Sequence, residues 1–329
     1  MEALCTFLLH SPTEAIRPLS SAQEWLLARE ALPFSTSIER AAAAGFLADR
    51  VGYAFAAGYQ EALGHLLMGT PLASQSMPSM ALCATEEGGV QPRAIQTTLS
   101  PRAGGDAGSS LVLSGRKRFV TLGALARWLL VIARRGLDEQ GRSQLAAVCI
   151  PSDRAGVTLH EAPATPFVPE IPHASVSLFE VDVAAAEVLP GDGYLRYLKP
   201  FRTIEDLHVH AAVLGYLIQI ARRFAWPREH VADALSIVCA LLPLAAAPPL
   251  SPVVHVALSG AITATARFVE DTAPQWAQVD AAVAARFQRD QRLLAVAGQA
   301  RSARLASAWQ ALSVSPQASA EYDSQARKP

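Results

Sequence analysis

The chain changes its hydrophobic period twice. Apolar residues first recur at helical spacing, alternate with a period of two from Met80 to about Pro190, and return to helical spacing from Thr203 onward. Helices, then strands, then helices exclude a βαβ alternation and predict an α+β fold. The expected divisions are an N-terminal helical region over 1–75, a central antiparallel β-barrel or sandwich over 76–192, and a C-terminal antiparallel helical bundle over 193–329.

Within the first region, Ser20 or Ser21 can cap a helix carrying Trp25, Leu26 and Leu27. A second, Ala-rich helix is predicted from Ile38 to Leu67, with Phe46, Val51, Phe55 and Tyr59 near helical spacing, and Met68 to Ser79 reads as a linker. Strands are predicted at Met80–Thr85, Ala94–Thr98, Ser110–Thr121, Trp128–Ala133, Leu145–Ile150, Val157–His160 and Ala174–Val181. Turn clusters at 87–89, 103–106, 137–141 and 153–156 separate them, and this even spacing suggests a barrel or sandwich. The last region divides into helices near 204–225, 228–242, 252–271 and 277–297 and a final helix ending near Leu312. Pro227 starts the second of these, Gly298 interrupts the fourth, and the tail from Ser313 is polar.

A core is affordable: 51% of residues are hydrophobic and 17% charged. The formal net charge of -1 provides no field for nucleic acid or an anionic membrane, so neither is an expected partner. Leu235 to Leu258 is apolar enough for a membrane span, but Pro243, Pro248, Pro249 and Pro252 would break one; two buried bundle helices joined by a proline turn are expected. Met1 to Leu19 opens with Glu2, lacks a basic start and contains Pro12 and Pro18, so it is not expected to be an export signal. Cys5, Cys83, Cys149 and Cys239 form no CxxC pair and are expected to be free, mostly buried thiols in a reducing cytoplasm.

Four local strings, in order, resemble the acyl-CoA dehydrogenase family over roughly residues 40 to 312. Leu82-Cys83-Ala84-Thr85-Glu86-Glu87-Gly88-Gly89 is similar to the family's first flavin-contacting strand and turn. Gly115-Arg116-Lys117-Arg118-Phe119-Val120-Thr121 is similar to its G-x-K-x-(W/F)-(I/V)-T strand. Val181-Asp182-Val183 through Val188-Leu189-Pro190-Gly191 resembles the exit from the barrel, and Arg289-Asp290 the pair on the penultimate bundle helix. The resemblance implies FAD as cofactor, an acyl-CoA or acyl thioester as substrate, and flavin contacts from Cys83, Ala84, Thr85, Phe119 and Thr121. A flavin needs donors near N5 and O4 and an apolar wall on one face. Thr85 and Thr121 fit the first need and Phe119 the second, although Thr and Phe are also ordinary strand residues.

The family's chemistry requires a carboxylate beside the thioester to take the α-proton. Most members carry it after the Arg-Asp pair, where this chain has Ala297. A minority carry it on the first bundle helix in an L-E-R-L-x-x-A-x-x-x-x-G pattern. Ile204-Glu205-Asp206-Leu207 through Gly215 aligns with that pattern without a gap, which places Glu205 as the base. Asp206 replaces the following Arg, and Arg202, one turn earlier, is the candidate substrate contact. The alternative reading makes Thr203 an N-cap and Glu205 a first-turn acid serving the helix dipole. His208 and His210, at i and i+2, point to different faces and predict no shared metal; core or interface histidines are expected.

Other family features are missing. The Gly-Ser-Asp after the first strand is replaced by Val90-Gln91-Pro92, and no glycine lies between Asp271 and Gln288, where a neighbouring subunit would offer a Gly-rich phosphate segment. The turn after the first bundle helix reads Arg222-Arg223-Phe224-Ala225-Trp226-Pro227. Three readings follow: an active flavoenzyme of the acyl-CoA dehydrogenase kind, a half-site or non-catalytic subunit completed by a full-length relative, or a cofactor-free scaffold. A homo- or hetero-oligomer is expected in each, because the bundle has apolar surface to spare.

Overall fold

The computed structural model describes residues 1–14, 16–28, 32–72, 79–102 and 111–313. The expected turn at 103–106, the strand start at Ser110, residues 73–78 of the linker, the tail from 314 and the side chain of Leu27 lie outside the described residues. The element order follows the sequence expectation of helices, a β region and helices.

The N-terminal region contains α1 (Glu2–His10), α2 (Ala22–Ala28), α3 (Ser37–Leu47) and α4 (Val51–Leu66). Ser21 caps α2, its Oγ accepting from Glu24 N at 3.1 Å. The single helix expected over Ile38–Leu67 is two helices. Ala48 and Arg50 are extended between them, and Asp49 accepts from Leu19 N at 3.1 Å while Arg50 reaches Leu19 O at the same distance. A long-range tie to Leu19 ends α3, and no glycine or proline marks it.

The β region comprises β1 (Met80–Cys83), β2 (Thr98–Pro101), β3 (Leu111–Thr121), β4 (Trp128–Leu137), β5 (Ser143–Pro151), β6 (Val157–Glu161) and β7 (His173–Val183). They form one seven-stranded sheet around a core that includes Leu113, Val131, Val148 and Val176. The sheet is mixed where an antiparallel one was expected. β1 pairs parallel with the first half of β4, and Thr98 of β2 pairs parallel with Arg134 farther along the same strand. The expected strand 94–98 is mostly absent. Pro92 starts a 3-10 turn over Pro92–Ala94, and the Gln96 and Thr97 amides go to the Glu86 carboxylate at 2.7 and 3.1 Å.

Two polar devices stabilise this region. Lys117 is completely buried, and its ammonium donates to Glu86 Oε1 at 2.6 Å and to Ile132 O at 2.5 Å. Glu86 therefore ties the turn after β1, the start of β2 and the middle of β3 into one unit. The second device covers an edge of β1. Gln60 of α4 donates to Met80 O at 2.7 Å and accepts from Met80 N at 2.9 Å, while Tyr59 Oη accepts from Leu82 N at 3.0 Å.

The first bundle helix, expected near 204, begins earlier. Asp192 Oδ1 accepts from Tyr194 N and Leu195 N, one turn of π-helix follows over Gly193–Leu198, and α5 runs from Lys199 to Arg223. Thr203 is thus inside a helix and does not cap it. Gly45 of α3 and Gly215 of α5 bring their backbones together; a Cβ at Gly45 would lie 1.9 Å from Ala212 O, and one at Gly215 would lie 2.1 Å from Ala42 O. α5 is consequently buried along nearly its whole length between α3, α4 and α6.

The remaining helices are α6 (Arg228–Ala246), α7 (Pro252–Asp271), α8 (Ala281–Asp290) and α9 (Gly298–Ser313). The proline turn between α6 and α7 is where the sequence predicts it, but Pro243 sits inside α6 without ending it. Neither helix is buried all round: α6 buries Ala234, Ile237, Val238, Leu241 and Ala245, and α7 buries Val254, Leu258, Ala261, Thr265 and Phe268. By length and composition each could cross a bilayer. The helix expected over 277–297 ends at Asp290, and a 3-10 turn over Gln291–Ala295 leads into α9, which Gly298 opens. Ala225 stands in the turn after α5 at φ +50°, a left-handed conformation that glycine usually supplies.

Candidate active site

Two halves form the site that the sequence singles out. The first lies at the end of β1. Cys83 and Ala84 place their side chains in buried surroundings, and burial pushes the Cys83 thiol up to about 12, so only their backbones can face a ligand. Thr85 is half-buried, and its carbonyl accepts from Arg118 N at 2.8 Å, which sets the end of β1 against β3. At that point β3 is irregular: the register with β7 shifts between Lys117 and Val120. Phe119 occupies the shift at φ +54° and is 68% exposed. A bulky residue in this region costs about 1–3 kcal/mol, and such strain clusters at functional sites. Thr121 follows, half-buried, at the end of β3.

The Arg118–Thr85 bond therefore brings Thr85 beside the Phe119 irregularity, with Thr121 two residues farther along β3, although β4 and β2 stand between β1 and β3 in the sheet order. Lys117 of the same motif does not face that end. It points inward, and burial depresses its ammonium while the Glu86 carboxylate opposes the shift. Its inward direction was readable in the sequence, because Leu113, Gly115 and Lys117 share parity on one strand.

The second half is on α5. Glu205 lies well inside a continuous helix, so the reading of it as a first-turn dipole acid does not hold. Neighbouring atoms crowd it although part of its surface stays accessible. Burial pushes its carboxyl up to about 8, the Asp206 charge adds to the rise, and Arg301 and Arg202 oppose it. Arg202 is half-buried on the preceding turn. Tyr59 connects the halves: its hydroxyl contacts Leu82 N of β1, its ring meets Phe201 edge-on with centroids 5.8 Å apart, and burial, with Glu205 contributing, raises its phenol.

Asp206 binds the last helix. Its Oδ1 accepts from Arg301 Nε and Nη2 at 2.9 and 2.7 Å, and its Oδ2 accepts from Arg304. Arg301 also donates to Leu294 O at 2.5 Å. Neither this anchor nor Tyr59 was singled out from sequence; the arginines lie 95 and 98 residues from Asp206, and no local spacing records the pairing.

His208 and His210 are core residues, as expected. Burial holds them at about 3 and about 4, and each Nδ1 donates to the carbonyl four residues earlier at 2.7 Å. A carbonyl only accepts, so the Nδ1 proton is fixed and His208 Nε2 must accept from Ser37 Oγ at 2.9 Å; that oxygen in turn accepts from His65 Nδ1 at 2.9 Å.

Arg289 and Asp290 serve the fold. Asp290, fully buried, accepts from Val168 N at 2.7 Å, and Arg289 engages Asp290 at 2.7 Å and Glu170 at 3.4 Å. This pair fastens α8 to the loop before β7 and leaves Arg289 committed within the chain.

A flavin ring suits the β half: Thr85 and Thr121 carry hydroxyls near the outward-facing, mostly exposed Phe119 ring, over which the chain places only the Arg118 guanidinium, 5.6 Å from the ring centroid. For the phosphates the same region offers Val90-Gln91-Pro92, where Gln91 precedes a 3-10 turn whose first residue has no N–H.

Residues 81–181 match the family described as acyl-CoA dehydrogenase, middle domain. A probable acyl-CoA dehydrogenase, YngJ of Bacillus subtilis (strain 168), is 29% identical over 136 residues, 39% of this chain and 33% of that protein. The matched part spans about a third of the length of the curated relatives. The solved butyryl-CoA dehydrogenase from Megasphaera elsdenii superposes with a TM-score of 0.67 at 14% identity, covering 94% of this chain and 96% of that one. A structure described as an FAD complex of PigA gives 0.66 at 14% identity, over 93% and 95%.

Proposed function

The chain is an acyl-CoA dehydrogenase-like protein, and on that premise we propose that it is a flavin-dependent oxidoreductase acting on the CH–CH bond of an acyl thioester. The observation that carries this reading is Glu205: a crowded carboxyl on the first long bundle helix, raised to about 8, with Tyr59 between it and the end of β1.

In this reading Glu205 takes a proton from the carbon next to the thioester. A raised carboxyl is a stronger base than an ordinary one once ionised, and its acidity is matched to work near neutral pH. Arg202, on the preceding turn, orients the acyl group, and Phe201 and Tyr59 form an apolar wall beside it. Flavin, when bound, supplies the hydride acceptor. Thr85 and Thr121 offer hydroxyl and backbone groups to its ring, the Cys83 and Ala84 backbones continue that edge, and Phe119 covers one face. FAD is the form proposed; an oligomer, with a second copy or a longer relative, is proposed on the open faces of α6 and α7. A cytoplasmic setting is proposed with it, on four cysteines that form no CxxC pair.

A second reading is favoured by one observation. Arg289 is spent inside the chain and no glycine lies between 271 and 288, so two copies of this chain offer each other little for the flavin phosphates. Under this half-site reading a longer relative completes the cofactor site. Absorbance at the flavin bands separates the two: stoichiometric FAD on the chain alone supports the self-sufficient enzyme, and flavin only in a co-purified complex supports the half-site. No flavin in either preparation overturns both.

A further inference from the structure

Two of the four cysteines, 234 residues apart, meet in the fold. Cys5 lies on α1 and Cys239 in the middle of α6, and their Sγ atoms are 3.7 Å apart. Both are partly exposed, whereas Cys83 and Cys149 are buried in the body of the chain. We propose that Cys5 and Cys239 are an oxidative modification site, a dithiol that closes to an intrachain disulfide when a peroxide reaches it.

The surroundings hold the pair in place. Leu4 and Leu8 of α1 are fully buried, and Arg222 of α5 donates to Leu8 O at 2.6 Å and to Ser11 O at 2.8 Å, so α1 is docked along the side chains that flank Cys5. On α6, Val238 and Leu241 anchor the turn that presents Cys239. A disulfide has sulfurs about 2.0 Å apart, so closure needs an approach of about 1.7 Å. Exposure gives a small oxidant access to one sulfur while the other stays in contact to resolve it.

The step balances as follows. One thiolate attacks a peroxide oxygen, the O–O bond breaks, and a sulfenic acid forms with release of one water from hydrogen peroxide. The neighbouring thiolate attacks that sulfur, the S–O bond breaks, and a second water leaves. Two thiols lose two electrons, and the peroxide is reduced to two waters. An external thiol reverses the bond by exchange. The cross-link closes a very long loop through most of the chain and fastens the first helix to the bundle, which restricts the unfolded chain strongly. In a reducing compartment the pair rests open, which makes it responsive to peroxide.

The test uses the full chain treated with hydrogen peroxide, then denatured, alkylated with iodoacetamide and digested without reductant. The expected result is a drop from four alkylated thiols to two and one linked peptide joining Cys5 and Cys239, lighter by two hydrogens and restored by dithiothreitol. Oxidation should raise the melting temperature of the wild type and leave that of Cys5→Ser unchanged. In Cys5→Ser, Cys239 should instead accumulate as a sulfenic acid that dimedone traps. Four alkylated thiols after peroxide, separate over-oxidation of the two sulfurs, or a linkage only between chains would each overturn the proposal.

Discussion

α5 and the pair α6–α7 invert what composition suggests. α5 carries Lys199, Arg202, Glu205, Asp206, His208 and His210, yet it is the most enclosed helix of the bundle. α6 and α7 are apolar enough to be read as spans, yet each is covered on one face only. Burial here follows geometry more than hydrophobicity. Gly45, Gly58 and Gly215 let three helix backbones meet, and the central polar groups of α5 are answered: His208 and His210 by carbonyls of α5 itself, His208 also by the Ser37 hydroxyl, and Asp206 by Arg301 and Arg304. The outer pair adds His255 Nε2, 3.3 Å from Thr203 Oγ1, and its free apolar surface is what another chain could cover.

The largest effect expected inside the enclosed helix is chemical. Glu205→Gln should lower acyl-CoA oxidation by about 10²- to 10⁴-fold while flavin absorbance is retained. In the wild type, kcat/KM should rise by about tenfold per pH unit below pH 8 and level above it, because the base must be ionised. A pH-independent wild-type rate would remove Glu205 from the chemistry. Stability carries the same signature with the opposite sense. The fold holds the proton on Glu205 more tightly than the unfolded chain does, so stability is present at low pH and declines as pH rises from the ordinary glutamate range through about 8. Denaturant titrations of Glu205→Gln should lack that decline.

Next in size is the tether between the enclosed and outer layers. Asp206→Ala leaves two arginines without their shared carboxylate, and removing one side of a buried ionic cluster costs about 3–5 kcal/mol. Urea unfolding should register the loss, and hydrogen exchange should place it in α9. The arginines hold the Asp206 carboxyl below the usual range against burial, so this contribution is present above that range and is lost as pH falls through the depressed value. Unchanged exchange in α9 would disconnect the helix from Asp206.

Two glycine replacements bring out the contrast most directly. Gly45→Ala forces a methyl onto the Ala212 carbonyl and should destabilise by about 1–3 kcal/mol or more. Gly260→Ala on α7 meets nothing within 4 Å and should stabilise by about 0.5–1 kcal/mol, as expected for an open helical position. Thermal melts of both should move in opposite directions. If Gly260→Ala is destabilising, the outer face of α7 is already covered in solution, and the oligomer is the first place to look.

Which parts of this were legible in the sequence follows from range. The strands β3, β4, β5 and β7 were, because alternation is written residue by residue, as was the proline turn between α6 and α7. The break at Asp49 was not, since it depends on Leu19 thirty residues away. Thr203 looked like a helix start because Ser, Thr and Asp favour caps, but Asp192 had already taken that role through a π turn that no spacing rule anticipates. Glu205 was found by pattern; that it sits beside Tyr59, and that its neighbour Asp206 draws α9 onto α5, required the tertiary structure.

The amide of Gln60 poses as one more peptide unit beside Met80, giving and receiving a hydrogen bond as a neighbouring strand would. A helix thereby ends the sheet at β1. A fragment cut to 79–192 would lose that terminator and present a bare apolar strand to every other copy, open to strand-on-strand growth. The β region is in this sense not portable: its solubility is housed in a side chain outside its own boundaries.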